Sequence, residues 1–304
     1  MPLHSSKPSK DSGLEKTDFI SFIQEYQQRL CNILETEDGV AKFTTDEWRR
    51  QEGGGGITKV IENGIVIEKA GVNTSVVHGP VSKSLSQQLQ SGTGDSFFAC
   101  GVSVVIHPLS PMIPTAHANF RYFEMHSQGR TVDRWFGGGC DLTPYYLFEN
   151  DVAHFHNTLE NAAGEFYTLF RKQCDEYFFN KHRGESRGVG GIFYDYMRDD
   201  PDYWLDFARR NADAFVDAYM PIVRRRRNED YSERHLRWQE IRRGRYVEFN
   251  LIHDRGTLFG LRSGGRTESI LMSLPPRVRF EYHDAPPPGS EEDKLLKTLM
   301  HARH

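Results

Sequence analysis

Long apolar runs are missing from this 304-residue sequence. No stretch approaches the roughly 20 apolar residues that a membrane-spanning helix needs. The segment from Met1 to Lys16 is rich in serine and lysine, without an apolar signal core. It also differs from the amphipathic, arginine-rich sequence of a transit peptide. We therefore expect a cytoplasmic location.

Cysteine is scarce, and the few cysteines are widely spaced. The chain has 4 cysteines, and no two of them form a Cys-x-x-Cys pair. This spacing argues against a disulfide framework and against a structural zinc site. Two of the four lie inside predicted strands, so we expect reduced, buried thiols. They are Cys31, Cys100, Cys140 and Cys174.

Two nucleotide-binding motifs and a strong net charge are also absent. Ser263-Gly-Gly-Arg266 lacks the spacing of a Walker loop, and Gly137-Gly-Gly139 lacks the Rossmann fingerprint and its following helix. The net charge of −4 is small, so the overall charge does not indicate nucleic-acid binding. The run Arg224–Arg227 is interpreted as a solvated helix end, with anion binding or subunit contact as alternatives.

Aromatic residues are abundant, and the 38% of hydrophobic residues suffice for a large core.

Residues 1–13 are predicted to be disordered, and 14–304 to form a single domain. Asn63-Gly64 predicts a hairpin within 57–77, and Asn150 or Asp151 is expected to cap the second helix. The predicted helices span 14–34, 150–180, 201–227, 231–243 and 291–302, and further predicted strands span 97–107, 118–125, 131–140, 190–196, 245–252, 257–262 and 267–274.

These strands come in hairpin-linked groups between helical blocks. This order favours an α+β fold with a largely antiparallel sheet over a doubly wound parallel sheet. In the strand 97–107, alternation places Phe98, Cys100, Val102, Val104 and Ile106 on one face, and Gly101, Ser103 and His107 on the other. The first face is apolar and predicts packing against the core.

The segment His117-Ala-Asn-Phe-Arg121 carries the strongest indication of chemistry. Strand alternation places His117, Asn119 and Arg121 side by side on one face of a sheet. His117 is the expected acid/base group, because the pKa of an unperturbed imidazole lies near neutral pH. The sequence therefore predicts a polar sheet face with a proton carrier beside an amide and a guanidinium.

Two glycine-rich segments could approach a ligand closely. In Trp135-Phe-Gly-Gly-Gly-Cys-Asp-Leu-Thr-Pro144, the glycines weaken a predicted strand and end near Asp141. Either the strand bulges there, or a flat ligand lies against bare backbone. Ser263-Gly-Gly-Arg266 is either a turn between strands or a carboxylate or phosphate site with N–H groups beside a guanidinium.

A metal site remains an open alternative. His154 and His156 point about 200° apart on a predicted helix, so one ion cannot bind both of them. The chain has no His-Glu-x-x-His motif, and neither His107 nor His117 begins the His-x-Asp/Glu pattern of non-haem iron sites.

Several motifs in one order resemble those of the oxygen-dependent coproporphyrinogen III oxidases, over about 97–282. They are Thr115-Ala-His-Ala-Asn-Phe-Arg-Tyr-Phe-Glu124, the segment Trp135–Pro144, Lys181-His-Arg183, Arg187-Gly-Val-Gly-Gly-Ile-Phe-Tyr-Asp195 and the block Arg245–Pro276. Two positions depart from the family pattern, Ala116 and Arg134, and we expect them to affect fine positioning of the substrate.

The resemblance implies a large, mostly antiparallel β-sheet flanked on both faces by α-helices, in a homodimer whose contact we expect within 245–281. It implies oxidative decarboxylation of two propionates of coproporphyrinogen III to vinyls, giving protoporphyrinogen IX in haem biosynthesis. Dioxygen is the oxidant, and no organic cofactor is implied. Alternatives are a metal-dependent oxygenase using the histidines and a non-catalytic tetrapyrrole carrier.

The resemblance also assigns residues. His117, Asp141 and Arg121 are implied in catalysis, with Asp141 binding pyrrole N–H groups, while Arg255 clamps a propionate or braces the dimer. A divalent metal in some family members implies His107, His117, His156 and His182 as ligands. The implied substrate-binding residues are Ser103, Asn119, Phe120, Arg121, Gly264, Gly265, Arg266 and Arg255.

Overall fold

A seven-stranded antiparallel sheet forms the centre of the molecule. The computed structural model describes residues 12–81, 94–262 and 265–301. The strands of this sheet are β1 Thr44–Arg49, β2 Gly54–Glu62, β3 Ile67–Pro80, β4 Ser96–Pro108, β5 Thr115–Ser127, β6 Arg130–Thr143 and β9 Gly191–Met197. They lie side by side in the order β1-β2-β3-β4-β5-β6-β9. A separate two-stranded sheet contains β7 Phe179–Asn180 and β8 Glu185–Ser186.

Helices cover both faces of this sheet, which confirms the predicted α+β class. On one face the helix α1 packs Phe22 and Tyr26 against Phe120, and on the other a later helix places Tyr246 against His107. The helices are α1 Ser12–Asp38, α2 Glu149–Ala163, α3 Tyr167–Tyr177, α4 Pro201–Arg226, α5 Glu233–Ile252, α6 Arg255–Arg262, α7 Thr267–Leu271 and α8 Glu291–His301.

The apolar face of β4 lies in the main core, as alternation predicts. Val102 and Val104 are 0% exposed, and the other members of this face are also buried. Helices α1, α2, α3 and α4 contribute to the same core. At about 25 cal/mol per Å² of buried apolar surface, this burial is the main stabilising contribution. The opposite face, with Ser103, is left for polar contacts.

The predicted hairpin is confirmed, and the glycine segment shows the bulge that was one of its two alternatives. Asn63 adopts a left-handed φ of 59°, and Gly64 N donates to Ile67 O at 3.0 Å in the turn between β2 and β3. The pairing of β6 with β9 shifts register between Phe136 and Gly138, so the strand does bulge within the glycine segment. The predicted helices at 201–227 and 291–302 are also confirmed, as α4 and α8.

The single helix predicted at 150–180 is wrong. It divides into α2 and α3, joined by the 3₁₀ turn Gly164–Phe166. Gly164 has a φ of 58°, a value that favours glycine and interrupts the helical path. The expected side-chain cap is also wrong, because Phe148 occupies the N-cap position without a side-chain hydrogen bond.

The strands predicted at 245–252, 257–262 and 267–274 are wrong. Helix α5 continues to Ile252, and α6 and α7 follow it. Tyr246, Phe249 and Asn250 are buried at helical spacing, so a helix explains this apolar pattern as well as a strand does. The argument for a dimer contact from exposed strand edges in 245–281 therefore loses its basis.

The arginine run at the end of α4 is engaged within the chain. All four arginines form ion pairs. Arg224 and Arg225 are exposed, as expected for a solvated helix end, whereas Arg226 is buried, at 8% exposure, and departs from that expectation. The pairs are Arg224–Glu37, Arg225–Asp151, Arg226–Asp151, Arg226–Glu229 and Arg227–Glu37. They connect the end of α4 to α1 and α2.

The remaining predictions concern the thiols and the chain ends. All four cysteines are free and buried, as expected. Of the tail predicted to be disordered, residues 1–11 lie outside the described residues, while α1 already begins at Ser12. Within the described ranges, no helix combines the length and the apolar character needed to cross a membrane.

Candidate active site

The polar face of the sheet brings the predicted side chains of β4, β5 and β6 into adjacent positions. The strand register pairs Ser103 with Asn119 and His117 with Asp141. Gly101 and Arg121 form the next pair on the same face. Because alternate residues of a strand share a face, this face carries His117, Asn119 and Arg121 as predicted.

His117 is fixed by a buried carboxylate. Its Nδ1 donates to Asp141 Oδ1 at 2.8 Å, since a carboxylate can only accept. The His117 side chain is 19% exposed and the Asp141 side chain 2%. The hydrogen on Nδ1 leaves Nε2 as the ring atom able to accept a proton. Such a histidine is suited to act as a base towards a ligand on the polar face.

Asp141 is itself held by Arg187, a residue to which sequence reasoning gave no role. Arg187 Nη2 donates to Asp141 Oδ1 at 2.6 Å, and Nε donates to Oδ2 at 3.2 Å. Burial alone would raise the pKa of Asp141, but the charge of Arg187 and the hydrogen bond from His117 lower it. Asp141 is therefore ionised at neutral pH and carries two partners.

The guanidinium of Arg187 has its own anchors. Nη1 donates to Asn250 Oδ1 at 3.0 Å, and the group lies 4.0 Å from the ring centre of Phe178. The rings of Tyr246 and Phe249 lie at 4.7 and 4.8 Å. One sequence signal was available, because an arginine directly before a glycine-rich buried strand needs a buried partner.

This arrangement changes the expectation for Asp141. Both carboxylate oxygens contact protein groups, and the residue is 1% exposed. Direct binding of pyrrole N–H groups by Asp141 is therefore disfavoured, since the carboxylate is buried behind His117 and Arg187. Its position instead suits the orientation of His117.

Arg121 and Arg255 meet near one edge of the sheet. Arg121 Nη1 donates to Asn119 Oδ1 at 3.1 Å, and Arg121 Nη2 lies 2.9 Å from Asp195 Oδ2. Arg255 Nη2 lies 3.8 Å from the same Asp195 oxygen. A Cβ on Gly137 would stand 2.9 Å from Arg121 Nε. The first glycine of the segment thus makes room for this guanidinium.

Arg266 lies at the other edge of the sheet. It forms an ion pair with Asp46 on β1, and register places Asp46 in the cross-strand row that includes Ser103 and Asn119. Four strand spacings separate β1 from β5, which is about 19 Å. Gly265 N donates to Gly260 O at 2.8 Å, whereas Gly264 lies outside the described residues.

Phe120 does not belong to the polar face. Its side chain is 0% exposed and packs against α1 on the core side, so the predicted contact of Phe120 with substrate is left to its backbone. Alternation along β5 explains this, because Phe120 lies between two residues that point the other way.

Ala116 and Arg134 are in register with Ile106 and Glu124 and share this core-side face, so the two departures from the family pattern lie away from the polar face.

The histidines implied as metal ligands are engaged separately. His107 Nε2 donates to Ser273 O at 2.9 Å, and His156 Nε2 donates to Val189 O at 3.0 Å. His182 contacts Glu248 and His253. No group of three or more potential metal ligands occurs in the part of the chain that the structure describes. These four histidines do not fit a shared metal site.

Two of these histidines have pKa values that fit a structural role. Burial, together with the charge of Arg171, lowers the pKa of His156 to about 4. Burial and the charge of Arg243 lower the pKa of His107 well below its usual value. Both rings are therefore neutral at neutral pH and act as buried hydrogen-bonding groups.

An aromatic row borders the polar face. The rings of Phe123 and Trp135 stack with centres 4.3 Å apart, and Phe97 stacks on Phe123 at 5.7 Å. Tyr196 continues the row at 5.1 Å from Trp135. Beside it, Gly101 leaves backbone without a side chain, whereas Arg121 and Asp195 occupy the space next to Gly137. Phe97 and Trp135 are buried, so the half-buried Phe123 and Tyr196 provide the apolar surface next to the cationic groups.

These features suit a large ligand that has both an apolar body and several carboxylates. The half-buried rings of Phe123 and Tyr196 can contact the body. Arg121, Arg255 and Arg266 can bind anionic groups at both sides. His117 adds a proton acceptor between them. A family model described as coproporphyrinogen III oxidase matches residues 18–304. Because this match covers nearly the whole sequence, the chain belongs to the coproporphyrinogen III oxidase family.

Proposed function

We propose that this chain is an oxygen-dependent coproporphyrinogen III oxidase acting in haem biosynthesis. It would convert two propionate side chains of coproporphyrinogen III to vinyl groups. The observation that carries the proposal is the chain of contacts from Arg187 through Asp141 to His117, on a sheet face that also bears Arg121. A tetrapyrrole carrier needs the cationic groups but has no need for an oriented base.

Each round of the proposed reaction balances with one dioxygen. Two electrons pass from the electron-rich pyrrole to dioxygen, and His117 Nε2 accepts the proton released from the β-carbon of the propionate. The bond to the carboxylate then breaks as carbon dioxide, and its electron pair forms the vinyl double bond. That proton and one from solvent complete hydrogen peroxide. Since the substrate supplies the electrons, no organic cofactor enters.

The other side chains would bind and orient the substrate. Arg121 and Arg255 lie at one edge of the sheet and Arg266 at the other, where each can bind a propionate. Ser103 and Asn119 lie between them in one cross-strand row. Asp141 and Arg187 act through His117 as positioning residues, because they hold the hydrogen on Nδ1 and keep Nε2 available.

The deciding experiment measures oxygen uptake and vinyl product with anaerobically prepared coproporphyrinogen III. The protein is first treated with a chelator and verified to be metal-free. We expect product in step with oxygen consumption. Activity that returns only with one particular ion would support the metal-dependent oxygenase. Tight binding without product under either condition would support the carrier.

We further propose a cytoplasmic homodimer that uses the region 245–281. The exposed apolar residues of this region support the contact, although the strands first expected there are helices. Ile252 is 52% exposed and Phe280 is 61% exposed. Contact with a second copy would remove these apolar side chains from water.

A further inference from the structure

Asp195 lies between two arginines at the edge of the polar face. Its Oδ2 is 2.9 Å from Arg121 Nη2 and 3.8 Å from Arg255 Nη2. The Arg255 side chain is 57% exposed, so the longer contact holds it loosely. These three groups together carry a charge of +1, and the Asp254 carboxylate borders them, because it accepts from the hydroxyl of Tyr177, whose ring lies 4.9 Å from the Arg255 guanidinium. The two arginines therefore have room for a carboxylate of a ligand, in competition with Asp195.

The surrounding backbone is adapted to this carboxylate. Tyr196 has a φ of 58°, a value uncommon for a residue with a side chain, and its N–H donates to Asp195 Oδ1 at 3.1 Å. A Cβ on Gly137 would stand 2.7 Å from the same oxygen. Backbone conformations of this kind often accompany function. Asp195 is thus held in place from two sides.

The cluster shares the polar face with the proposed base, with Arg121 four residues along β5 from His117, or about 14 Å between their Cα atoms. Arg121 lies on the same face of β5 as His117, and its hydrogen bond to Asn119 directs the guanidinium towards that residue. The ring centre of Phe193, on β9, lies 5.8 Å from the Arg121 guanidinium and 6.1 Å from the ring centre of Phe178. The ring centres of Phe178 and His117 are 5.7 Å apart. A large ligand on this face can therefore place one carboxylate in the cluster while another part of it lies against His117.

We propose, on the basis of the proposed function, that Asp195 limits how tightly Arg121 and Arg255 hold the carboxylate of the reacting propionate. That carboxylate leaves as neutral carbon dioxide, so its attraction to the arginines weakens on the way to the transition state. Binding that is stronger in the ground state than in the transition state slows the reaction. Asp195 offers the arginines an alternative anion, which replaces the substrate carboxylate as it leaves.

The test uses Asp195→Asn in the full chain and two oxidised porphyrins that cannot react. Coproporphyrin III carries four carboxylates, whereas protoporphyrin IX has two vinyl groups in place of two propionates. We expect the Kd of the variant for coproporphyrin III to fall about tenfold. The Kd for protoporphyrin IX should stay within about twofold, since it lacks the competing carboxylate. With coproporphyrinogen III, KM and kcat should fall together.

Two further variants act as controls. Asp195→Glu keeps the charge and should restore the wild-type ratio of the two Kd values. Asp213→Asn removes another aspartate paired with an arginine, Arg29, at the contact between α1 and α4 on the core side of the sheet. It should leave both Kd values unchanged.

Two results would overturn the inference. Weaker binding of coproporphyrin III by Asp195→Asn would mean that Asp195 only orients Arg121. Equal changes for both porphyrins would mean that Asp195 does not distinguish the reacting carboxylate. If the wild-type chain bound neither porphyrin, the proposed function itself would fail, and the inference with it.

Discussion

At the scale of single residues, the proposed chemistry depends on one ring nitrogen. Asp141 accepts the hydrogen on His117 Nδ1, and Arg187 holds Asp141 from the other side. The Asp141 carboxylate and the Arg187 guanidinium offset each other in charge. The imidazole therefore receives its orientation from a buried charged pair.

His117→Ala should lower turnover far more than binding. Loss of a positioned base typically costs about 10² to 10⁴ in rate, so we expect kcat to fall by about that factor. The Kd for coproporphyrin III should change by less than about threefold, because the ring is not assigned to a carboxylate. Steady-state kinetics and porphyrin titration measure the two effects. His154→Ala, on α2, is the control, and weaker binding with unchanged kcat would contradict this division.

Arg187→Lys should affect the rate through His117. Lysine keeps the charge but cannot donate two parallel hydrogen bonds to Asp141, so the carboxylate loses a fixed position. We expect kcat to fall about tenfold while the Kd for coproporphyrin III is retained, a tenfold rate loss being about 1.4 kcal/mol. The matched control is Arg183→Lys, where the arginine makes a two-fold contact with Glu248 at the surface. A loss of binding without loss of kcat would rule out the positioning role.

His156 should make the protein sensitive to mild acid. Its pKa is about 4 in the folded chain, below the ordinary value of 6.5, so the unfolded chain binds its proton first. The stability due to the neutral ring is complete above pH 6.5 and is lost progressively as the pH falls towards about 4. At pH 5 this loss is about 2 kcal/mol. His156→Gln should remove it.

Urea unfolding at pH 7 and pH 5 measures the effect. The wild-type free energy of unfolding should decrease by about 2 kcal/mol more than that of His156→Gln. His154→Gln, two residues away and partly exposed, should behave like the wild type. Equal pH dependence in His156→Gln and the wild type would contradict the buried, neutral state of this ring.

At the scale of elements, sequence reasoning succeeded where one period was unambiguous. The strands β4 and β5 alternate over more than ten residues, and burial against α1 follows that alternation. Sequence reasoning failed at 245–252, where the aromatic and β-branched residues fit both the repeat of a helix and the repeat of a strand. Contacts of Tyr246, Phe249 and Asn250 with Arg187 decide for the helix. These contacts are distant in sequence, so local patterns could not reveal them.

The part of the candidate site that lies on one strand could be predicted from the sequence, whereas the part that depends on contacts distant in sequence could not. His117, Asn119 and Arg121 share a face because one strand carries them, and alternation alone places them. Arg187 and Asp195 join them only through the pairing of β6 with β9 and the packing of α5. Phe120 was assigned by resemblance although its position in the same strand directs it to the core.

The segment with α6 and α7 lies over the polar face and brings Arg266 to β1. Ser269 Oγ lies 2.7 Å from Thr58 Oγ1, and Ser273 O accepts from His107. Arg266→Ala should therefore weaken the binding of coproporphyrin III about tenfold and change kcat by less than about twofold, because the residue lies far from His117. Porphyrin titration and steady-state kinetics check both. Arg209→Ala, in an exposed pair on α4, is the control, and a fall in kcat alone would contradict the assignment.

At the scale of the whole molecule, exposed apolar side chains in 245–281 predict self-association. Ile252→Glu combined with Phe280→Glu should convert a homodimer into a monomer, since each change places a charge where apolar surface would be buried. Sedimentation velocity over a range of concentrations measures the mass. Leu169→Glu on α3 also replaces a residue that is 52% exposed and should leave the mass unchanged. A wild-type chain that sediments as a monomer would contradict the prediction.

The buried thiols have a consequence for how long the molecule can work. Burial raises the pKa of Cys31 to about 12, and it also raises the pKa values of Cys100, Cys140 and Cys174. Oxidants attack the thiolate, which none of the four carries in useful amount at neutral pH. An enzyme that releases hydrogen peroxide at every turnover would thereby be protected against inactivation by its own by-product.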